Sequence, residues 1–591
     1  MDADRINELK NRISELPKGN LTKKTINGKA YYYHRFTEDH KRYEKYIKEE
    51  ELDEIKALFE LKASLKKELN TLKKQSGSTN NEYVTNVLTG NKLKQFSMTA
   101  QNYKKRDCYK DIHDYIYSDI RGKVFVLFGL RRTGKTTLIR QIILDMNESD
   151  FLKTAFIQIN TGNCLKDINS DLNKLQELGY KFVFIDEVTL MSDFIDGAAL
   201  FSDVFASTGM KVVLSGTDSL SFMFAKSDQL YDRSVMLHTT FISYGEFESV
   251  LGIKGLDEYI RYGGTMAISG THYNEYSTFS DLDSADEYVN SAIAHNIQHS
   301  LRYYDYGSHF IRLKELYDAG ELTNVIQRVV EDINHRFTLE VLTEDFKSHD
   351  LGVSSANLRR DRKNPSDILD RVDTRKITED LMALLEIRNK DELSVSLEEG
   401  HAVEIKEYLK LMDIIYDIDV EFLPYASKKK GRTIIAQPGL RYAQCEALIK
   451  SLLDDKLFSS LSLIEKNEVL KRIDTEIKGR MMEDIILLHT AKANKDKEVF
   501  VLQFVAGEFD MVVFDELSAS CCIFEIKHST QADKHQYRHL IDEEKCVLCE
   551  HRYGTIKARY VIYNGESFKE NEINYINAEE YLKDIRIYLP F

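Results

Sequence analysis

Eight residues, Gly129-Leu130-Arg131-Arg132-Thr133-Gly134-Lys135-Thr136, directly follow the apolar run Val124-Phe125-Val126-Leu127-Phe128 and precede the helical stretch Thr137-Leu138-Ile139-Arg140-Gln141-Ile142-Ile143. Two glycines let such a loop curl until its backbone N–H groups face an anion, at the positive end of the following helix. Lys135 adds a point charge for the β- and γ-phosphates, and the Thr136 hydroxyl can ligate Mg²⁺. The spacing therefore predicts a nucleoside triphosphate cradle built from Gly129, Arg131, Arg132, Thr133, Gly134, Lys135, Thr136 and Thr137. Some fifty residues on, Phe182-Val183-Phe184-Ile185 delivers Asp186-Glu187. A buried strand that ends in two carboxylates would give Asp186 to the metal and its water shell. Glu187 would then orient and deprotonate the attacking water.

A second set lies near the C-terminus. Asp510, in Glu508-Phe509-Asp510-Met511-Val512-Val513-Phe514, precedes Glu525-Ile526-Lys527 by fifteen positions. On a strand, residues i and i+2 share a face, so Glu525 and Lys527 project together, beside Asp510 from the neighbouring strand. Two carboxylates with the Ile526 carbonyl form a hard-oxygen set for Mg²⁺ or Mn²⁺. Lys527 would stabilise or help deprotonate a hydrolytic water attacking phosphorus. The plainer reading of Glu525 and Lys527, as charges guarding a sheet edge, sits poorly with the apolar flanks Ile523, Phe524 and Ile526. Cys546-Val547-Leu548-Cys549 is a lone pair of thiols, too few for tetrahedral Zn²⁺ without other ligands, and reads as plain buried or semi-exposed thiols.

These residues need a scaffold. Short apolar strands at 124–128, 155–159, 182–185 and 211–214 alternate with helices, the pattern of a parallel α/β sheet with ligands at strand C-terminal ends. That domain is expected over 105–254. Residues 1–75 read as a small basic module: Thr22 to Ile26, an Asn27-Gly28 turn, Lys29 to Phe36, then a helix from Leu52 to Leu72. Its interleaved lysines and aromatics suit either base stacking and phosphate neutralisation or a plain packed surface. A polar linker is expected over 76–104. From 255 to 450 helical periodicity dominates. There Leu339–Phe346, His349–Gly352 and Val353–Arg360 resemble a helix–turn–helix, and Val420–Tyr425 with Thr433–Ala436 a wing tipped by Ser427-Lys428-Lys429-Lys430-Gly431-Arg432. Arg359, Arg360, Lys429 and Lys430 are its candidate DNA contacts, with Arg362 and Lys363 adjacent. Residues 451–591 follow an α+β pattern: a helix over Arg480–Ala493, strands at 498–504, 508–514 and 521–527, a helix near 531–541 and a last strand at 557–563.

Apolar residues make up 42% of the 591 and charged residues 30%, a composition with ample core. No apolar stretch approaches the ~18 residues of a membrane span, and Met1-Asp2-Ala3-Asp4-Arg5 lacks signal-peptide design. Seven scattered cysteines fit a reducing cytoplasm. The net charge of −15 excludes uniform attraction to nucleic acid but not local patches. Residues 1–110 carry 24 Lys and Arg against 16 Asp and Glu.

The run at 129–138, the Asp186-Glu187 pair, the Ser215-Gly216-Thr217-Asp218-Ser219 turn and Ile242-Ser243-Tyr244-Gly245-Glu246-Phe247 together resemble one group of prokaryotic AAA+-related P-loop ATPases. The resemblance spans roughly 105–590. It implies a winged-helix region and a C-terminal PD-(D/E)xK nuclease-like domain of restriction-endonuclease type. It also implies that Ser215 or Thr217 senses the γ-phosphate. Arg233 is then an arginine finger or sensor, or equally a surface arginine. Glu483 matches the first acidic position of the nuclease pattern, and Gln536 is a fourth element orienting water or phosphate. Such relatives often complete a nucleotide site from a neighbouring copy, which is compatible with a homo-oligomer. The reading that follows is an ATPase coupled to metal-dependent DNA cleavage by Glu483, Asp510, Glu525 and Lys527, in a setting of defence or mobile elements. The alternative is an ATP-switched protein that binds DNA or a partner without cutting.

Overall fold

The computed structural model describes residues 83–227, 229–266, 279–302, 310–357, 399–424, 430–454, 459 and 462–591, with 16–17, 20–26, 29–38, 41–47 and part of 51–65. The chain divides into two units, Met1–Tyr83 and Val84–Phe591.

The first unit holds an antiparallel meander, β1 (Asn20–Ile26), β2 (Lys29–Glu38) and β3 (Lys41–Tyr46). Ile26 faces Lys29 in register, so the hairpin closes over two residues, as the Asn-Gly signal predicts. The third strand was not expected from its charge-rich sequence. It is added to β2 with Arg35 in register with Glu44. Part of a helix lies against this sheet, with the His34 and Phe59 rings edge to face at 5.3 Å and Lys56 over the Tyr32 ring.

The second unit begins with β4 (Asn86–Leu88), inside the stretch expected to be linker. Buried Asp171 explains its order, accepting hydrogen bonds from the Val84 and Thr85 N–H groups and the Thr85 hydroxyl at 2.7–2.8 Å. Then come β5 (Val124–Phe128), α1 (Lys135–Asp145), β6 (Thr154–Gln158), α2 (Leu165–Glu177), β7 (Phe182–Asp186), β8 (Lys211–Gly216) and β9 (Ser234–His238). The sheet order is β4-β6-β7-β8-β5-β9, parallel throughout except for β4. Every residue of β5 and β7 is buried, which is why both read as unbroken apolar runs rather than alternating ones.

Two short helices follow, α3 (Tyr244–Leu251) and α4 (Leu256–Tyr262), and a helical layer contains α5 (His295–Arg302), α6 (Leu322–Asn357) and α7 (Glu399–Leu411). Here the helix–turn–helix expectation is corrected. A single helix, α6, runs through the expected turn at 349–352. One glycine in a helix interior costs only about 1 kcal/mol, and buried Val325, Ile326, Val329, Val330 and Ile333 anchor the helix upstream. Arg359, Arg360, Arg362, Lys363 and Lys429 lie outside the described residues.

The wing is corrected too. Strands β10 (Ile415–Phe422) and β11 (Lys430–Ile435) form the expected hairpin, but β10 continues in parallel pairing with β12 (Glu498–Gln503). Between them the chain forms α8 (Pro438–Leu453) and α9 (Leu463–Ala493). After β12 come β13 (Glu508–Asp515), β14 (Ser520–Lys527), α10 (Glu543–Tyr553), β15 (Thr555–Tyr563), β16 (Phe568–Glu570), β17 (Ile573–Asn577) and α11 (Ala578–Lys583). The sheet therefore has eight strands in the order β11-β10-β12-β13-β14-β15-β17-β16, and it draws on residues before 451. Lys430 is the first residue of β11, within this sheet rather than on a free wing. In place of the helix expected near 531–541 there is one 3₁₀ turn, Lys534–Tyr537. Helix α9 packs its Met481, Ile485 and Leu488 into one core with Met511, Phe524 and Ile562 of the sheet and with Tyr244, Phe247 and Tyr259 of α3 and α4. No described helix is long and apolar enough to cross a membrane.

Candidate active sites

Strand β5 delivers its C-terminal end to Gly129, whose φ of +144° is open to glycine. A Cβ there would stand 2.8 Å from the Thr239 hydroxyl, so no other side chain fits. Gly134, at φ +86°, turns the chain into α1. Lys135 is buried, and its ammonium donates to the carbonyls of Gly129 and Leu130 at 2.7 and 2.6 Å. Burial pulls its pKa down to about 8, against the opposing pull of Glu187 and Asp186. The Thr136 hydroxyl donates to Asp186 Oδ2 at 3.0 Å, and Ser215 to Asp186 Oδ1 at 2.7 Å. Thr136, Asp186 and Ser215, expected from three separate stretches of sequence, thus meet at one carboxylate. Glu187 follows at φ +58°, and Thr217 donates to its carboxylate at 3.3 Å. Burial first, then the neighbouring Asp186 charge, raises the Glu187 pKa, with Lys135 opposing.

A cavity of about 740 Å³ opens over this group, lined by Arg131, Arg132, Lys135, Thr136, Thr137 and Glu187 among others. Thr133 does not face it. Its hydroxyl is buried, bonded to the Leu130 carbonyl and to Thr239, so it braces the loop.

Residues 121–248 match the family described as "AAA domain". This segment is an AAA-type P-loop ATPase domain. Nucleotide binding, usually with Mg²⁺, is what an AAA domain implies, and Thr136 beside Asp186 is the oxygen pair that fits the ion. Residues 3–57 match a domain of unknown function, DUF6788. A solved structure titled "Structural Basis for Katanin Self-Assembly" is similar at 12% identity and a TM-score of 0.21, covering 57% of this chain and 99% of that one. No curated protein matches the chain.

Arg233 does not join the AAA domain's cavity. It precedes β9 and its carbonyl accepts from the Val124 N–H at the start of β5, whereas the loop leaves the far end of β5. Five residues at ~3.3 Å each separate the two ends, and the guanidinium pairs with Asp203 at 2.9 Å. Arg233 therefore stands away from the cavity of its own chain.

Sequence reading missed Arg106. It is 6% exposed and makes a two-pronged pair with Glu246 at 3.0 and 2.7 Å. It also donates to the carbonyls of Thr133, Thr239 and Phe241 at 2.8–3.0 Å. Glu246 lies one helical turn into α3, whose N-cap Ser243 accepts from the Glu246 N–H. That Ser-x-x-Glu spacing was visible; the surface-like Lys104-Lys105-Arg106-Asp107 run gave no sign of burial. The Met266 N–H also donates to the Arg132 carbonyl at 2.8 Å. The loop is therefore tied to the chain on both sides of α3 and α4.

In the C-terminal sheet, β13 and β14 bring Asp510, Glu525 and Lys527 together. The Lys527 ammonium stands 2.9 Å from Asp510 Oδ2 and 2.7 Å from Glu525 Oε2. The Ile526 N–H donates to the same Asp510 oxygen at 2.7 Å. Both carboxylates are buried. Burial works against the Asp510 charge, but Lys527 and the Ile526 N–H outweigh it and hold its pKa below the ordinary value. Burial, then Asp510, pushes that of Glu525 up. Lys527 is held protonated: burial opposes its charge, and the two carboxylates overcome that.

Glu525 is buried, and its carboxyl group is close enough to that of Asp510 to share a proton with it. Among the described residues no three His, Cys, Asp or Glu groups converge as a metal cluster. Asp510 and Glu525 are the two carboxylates at this place, and both face the Lys527 ammonium. Glu483 stands close enough for its charge to act on Lys527, while its Oε2 accepts from Arg480 at 2.7 Å and pairs with Arg432 at 3.3 Å. Gln536 lines a cavity of about 540 Å³ with Glu525 and Lys527, though its amide closes a local turn with Gln531 and Asp533. Cys549 is fully buried with its sulfur 3.9 Å from that of Cys521, and Cys546 is nearly so.

Proposed function

We propose that this chain couples ATP binding and hydrolysis to metal-dependent cleavage of DNA phosphodiester bonds. The observation that carries the second half is the Lys527 ammonium shared between two buried carboxylates on neighbouring strands.

In the ATPase site Lys135 leaves its two loop carbonyls for triphosphate oxygens, and Ser215 and Thr136 hold Asp186 in place. Glu187, with its pKa raised by burial, takes a proton from the attacking water. At the second centre Asp510 and Glu525 would hold Mg²⁺ or Mn²⁺, which when bound supplies Lewis-acid charge. Lys527 carries a proton at Nζ beside the phosphorus-directed face and orients water there. A nucleotide-switched binding protein is the second reading, favoured by the two arginines that already hold Glu483.

Supercoiled and linear DNA with Mg²⁺ or Mn²⁺, with and without ATP, separates the two. Cleavage that disappears in Asp510→Asn and depends on ATP through Lys135 supports the proposal. Intact ATP hydrolysis with no cut under any of these conditions supports the switch.

A further inference from the structure

The cavity beside Lys527 is lined by Glu525 and Asp533 and also by Arg538 and His539. Arg538 donates through Nε to His539 Nε2 at 3.1 Å, and the ammonium of buried Lys545 reaches His539 Nδ1. A neutral imidazole has one accepting nitrogen and one N–H, so this ring cannot accept from both cations at once. The cluster is one acceptor short. Among the described residues Arg538 has no carboxylate within ion-pair distance, and Lys545 has only Asp542 at 3.8 Å. Burial lowers the pKa of His539, and the Lys545, Arg538 and Lys527 charges lower it further.

The position of the ring is built into the fold. It packs over Gly507, at φ +83°, where a Cβ would stand 2.5 Å from the imidazole. Lys545 is fixed behind it on α10, with 8% of its surface exposed.

A cation cluster short of an acceptor thus shares one cavity with the Lys527 ammonium of the second centre. A carboxylate or free phosphate would answer the cluster alone. A polynucleotide answers the cluster with one backbone phosphate and the Lys527 ammonium with its neighbour, because successive phosphates are anions linked along one strand. We propose that Arg538 and His539, backed by Lys545, form a subsite for a backbone phosphate of DNA next to the one held at Asp510, Glu525 and Lys527. This rests on the nuclease reading of that centre.

The test is binding of a fluorescent DNA oligonucleotide by anisotropy without divalent metal, over a salt series, with inorganic phosphate as competitor. Arg538 is exposed, so its variants fold, and ATP hydrolysis checks that they do. Arg538→Gln is expected to weaken binding about tenfold and to flatten the slope of log K against log salt by about one. Arg538→Lys should restore the slope in part. Competition by millimolar phosphate that is lost in Arg538→Gln would locate the effect at a single phosphate. Equal affinity and equal slope for wild type and Arg538→Gln would overturn the subsite, as would absence of binding by wild type.

Cleavage measured in parallel keeps the two ideas apart. Wild-type protein that binds through Arg538 but cuts nothing keeps the subsite and removes the nuclease. Cleavage by Arg538→Gln with unchanged KM does the reverse.

Discussion

Glu246→Gln isolates what holds the phosphate loop in shape. The Arg106 guanidinium is 6% exposed and spends its donors on Glu246 and three carbonyls, one of them Thr133 of the loop. Removing one partner of a buried pair costs about 3–5 kcal/mol, because the other charge is left without its counterion. Three carbonyls still face Arg106, so the lower end applies, about 3 kcal/mol. For a cooperative unit of the AAA domain's size that is a fall of about 6–12 °C in melting temperature. Replacing both partners, Arg106→Met with Glu246→Leu, should not restore that stability, since the carbonyls of Thr133, Thr239 and Phe241 and the Asp107 N–H would lose their partners. It cannot restore the bond to the Thr133 carbonyl. A charged hydrogen bond is worth about 1.5–3 kcal/mol, so ATP affinity should stay about tenfold or more below wild type. Thermal melts with and without ATP and titration with a fluorescent ATP analogue read the two effects separately. If Glu246→Gln melts within about 2 °C of wild type, or the double variant binds ATP normally, the idea that this pair shapes the loop is wrong.

Lys135→Ala should leave the fold intact and reduce ATP binding below detection in the same titration, since it removes the buried ammonium that lines the cavity. Glu187→Gln should keep ATP binding and lower turnover about 10²–10⁴-fold. In wild type the acid limb of kcat/KM should lie above the ordinary carboxylate range, because the Glu187 pKa is raised and the rate appears only once it ionises. That limb should vanish in the variant. His489 accepts the Tyr244 N–H while buried, and burial lowers its pKa to about 4. A depressed histidine contributes stability above its unfolded value near 6.5 and loses it as pH falls toward 4. About 3 kcal/mol should therefore drain from the α3–α9 junction across that window, read as a falling denaturation midpoint that His489→Gln flattens.

The nucleotide motifs were legible because their chemistry is local. Glycine spacing, the Lys-Thr pair and an apolar strand ending in Asp-Glu each state a requirement within a few residues, and the fold had only to bring three strand ends together. Asp510, Glu525 and Lys527 were legible for the same reason, through the two-residue period of a strand. What was missed depends on distance in sequence. Nothing in Lys104-Lys105-Arg106-Asp107 announces that one cation will be buried against a glutamate 140 residues on. The hairpin at 415–435 showed its turn and its alternation, but not that the open side of β10 pairs with a strand beyond two helices. The break expected at Gly352 was overridden by packing upstream, and β4 and β9 are too short to carry a period.

That hairpin has a consequence during synthesis. β12 begins 76 residues after β10 ends, and at about 5–20 residues per second the ribosome needs roughly 4–15 s to supply it. Throughout that interval one side of β10 is an open strand edge, the kind that recruits other chains. Helices α8 and α9 emerge in the meantime, and their apolar faces have no sheet to cover them. Efficient production of this protein should therefore depend on translation rate and chaperone supply across residues 423–503. A fragment begun at residue 451 would carry the same wound for good, with β12 stripped of its neighbour.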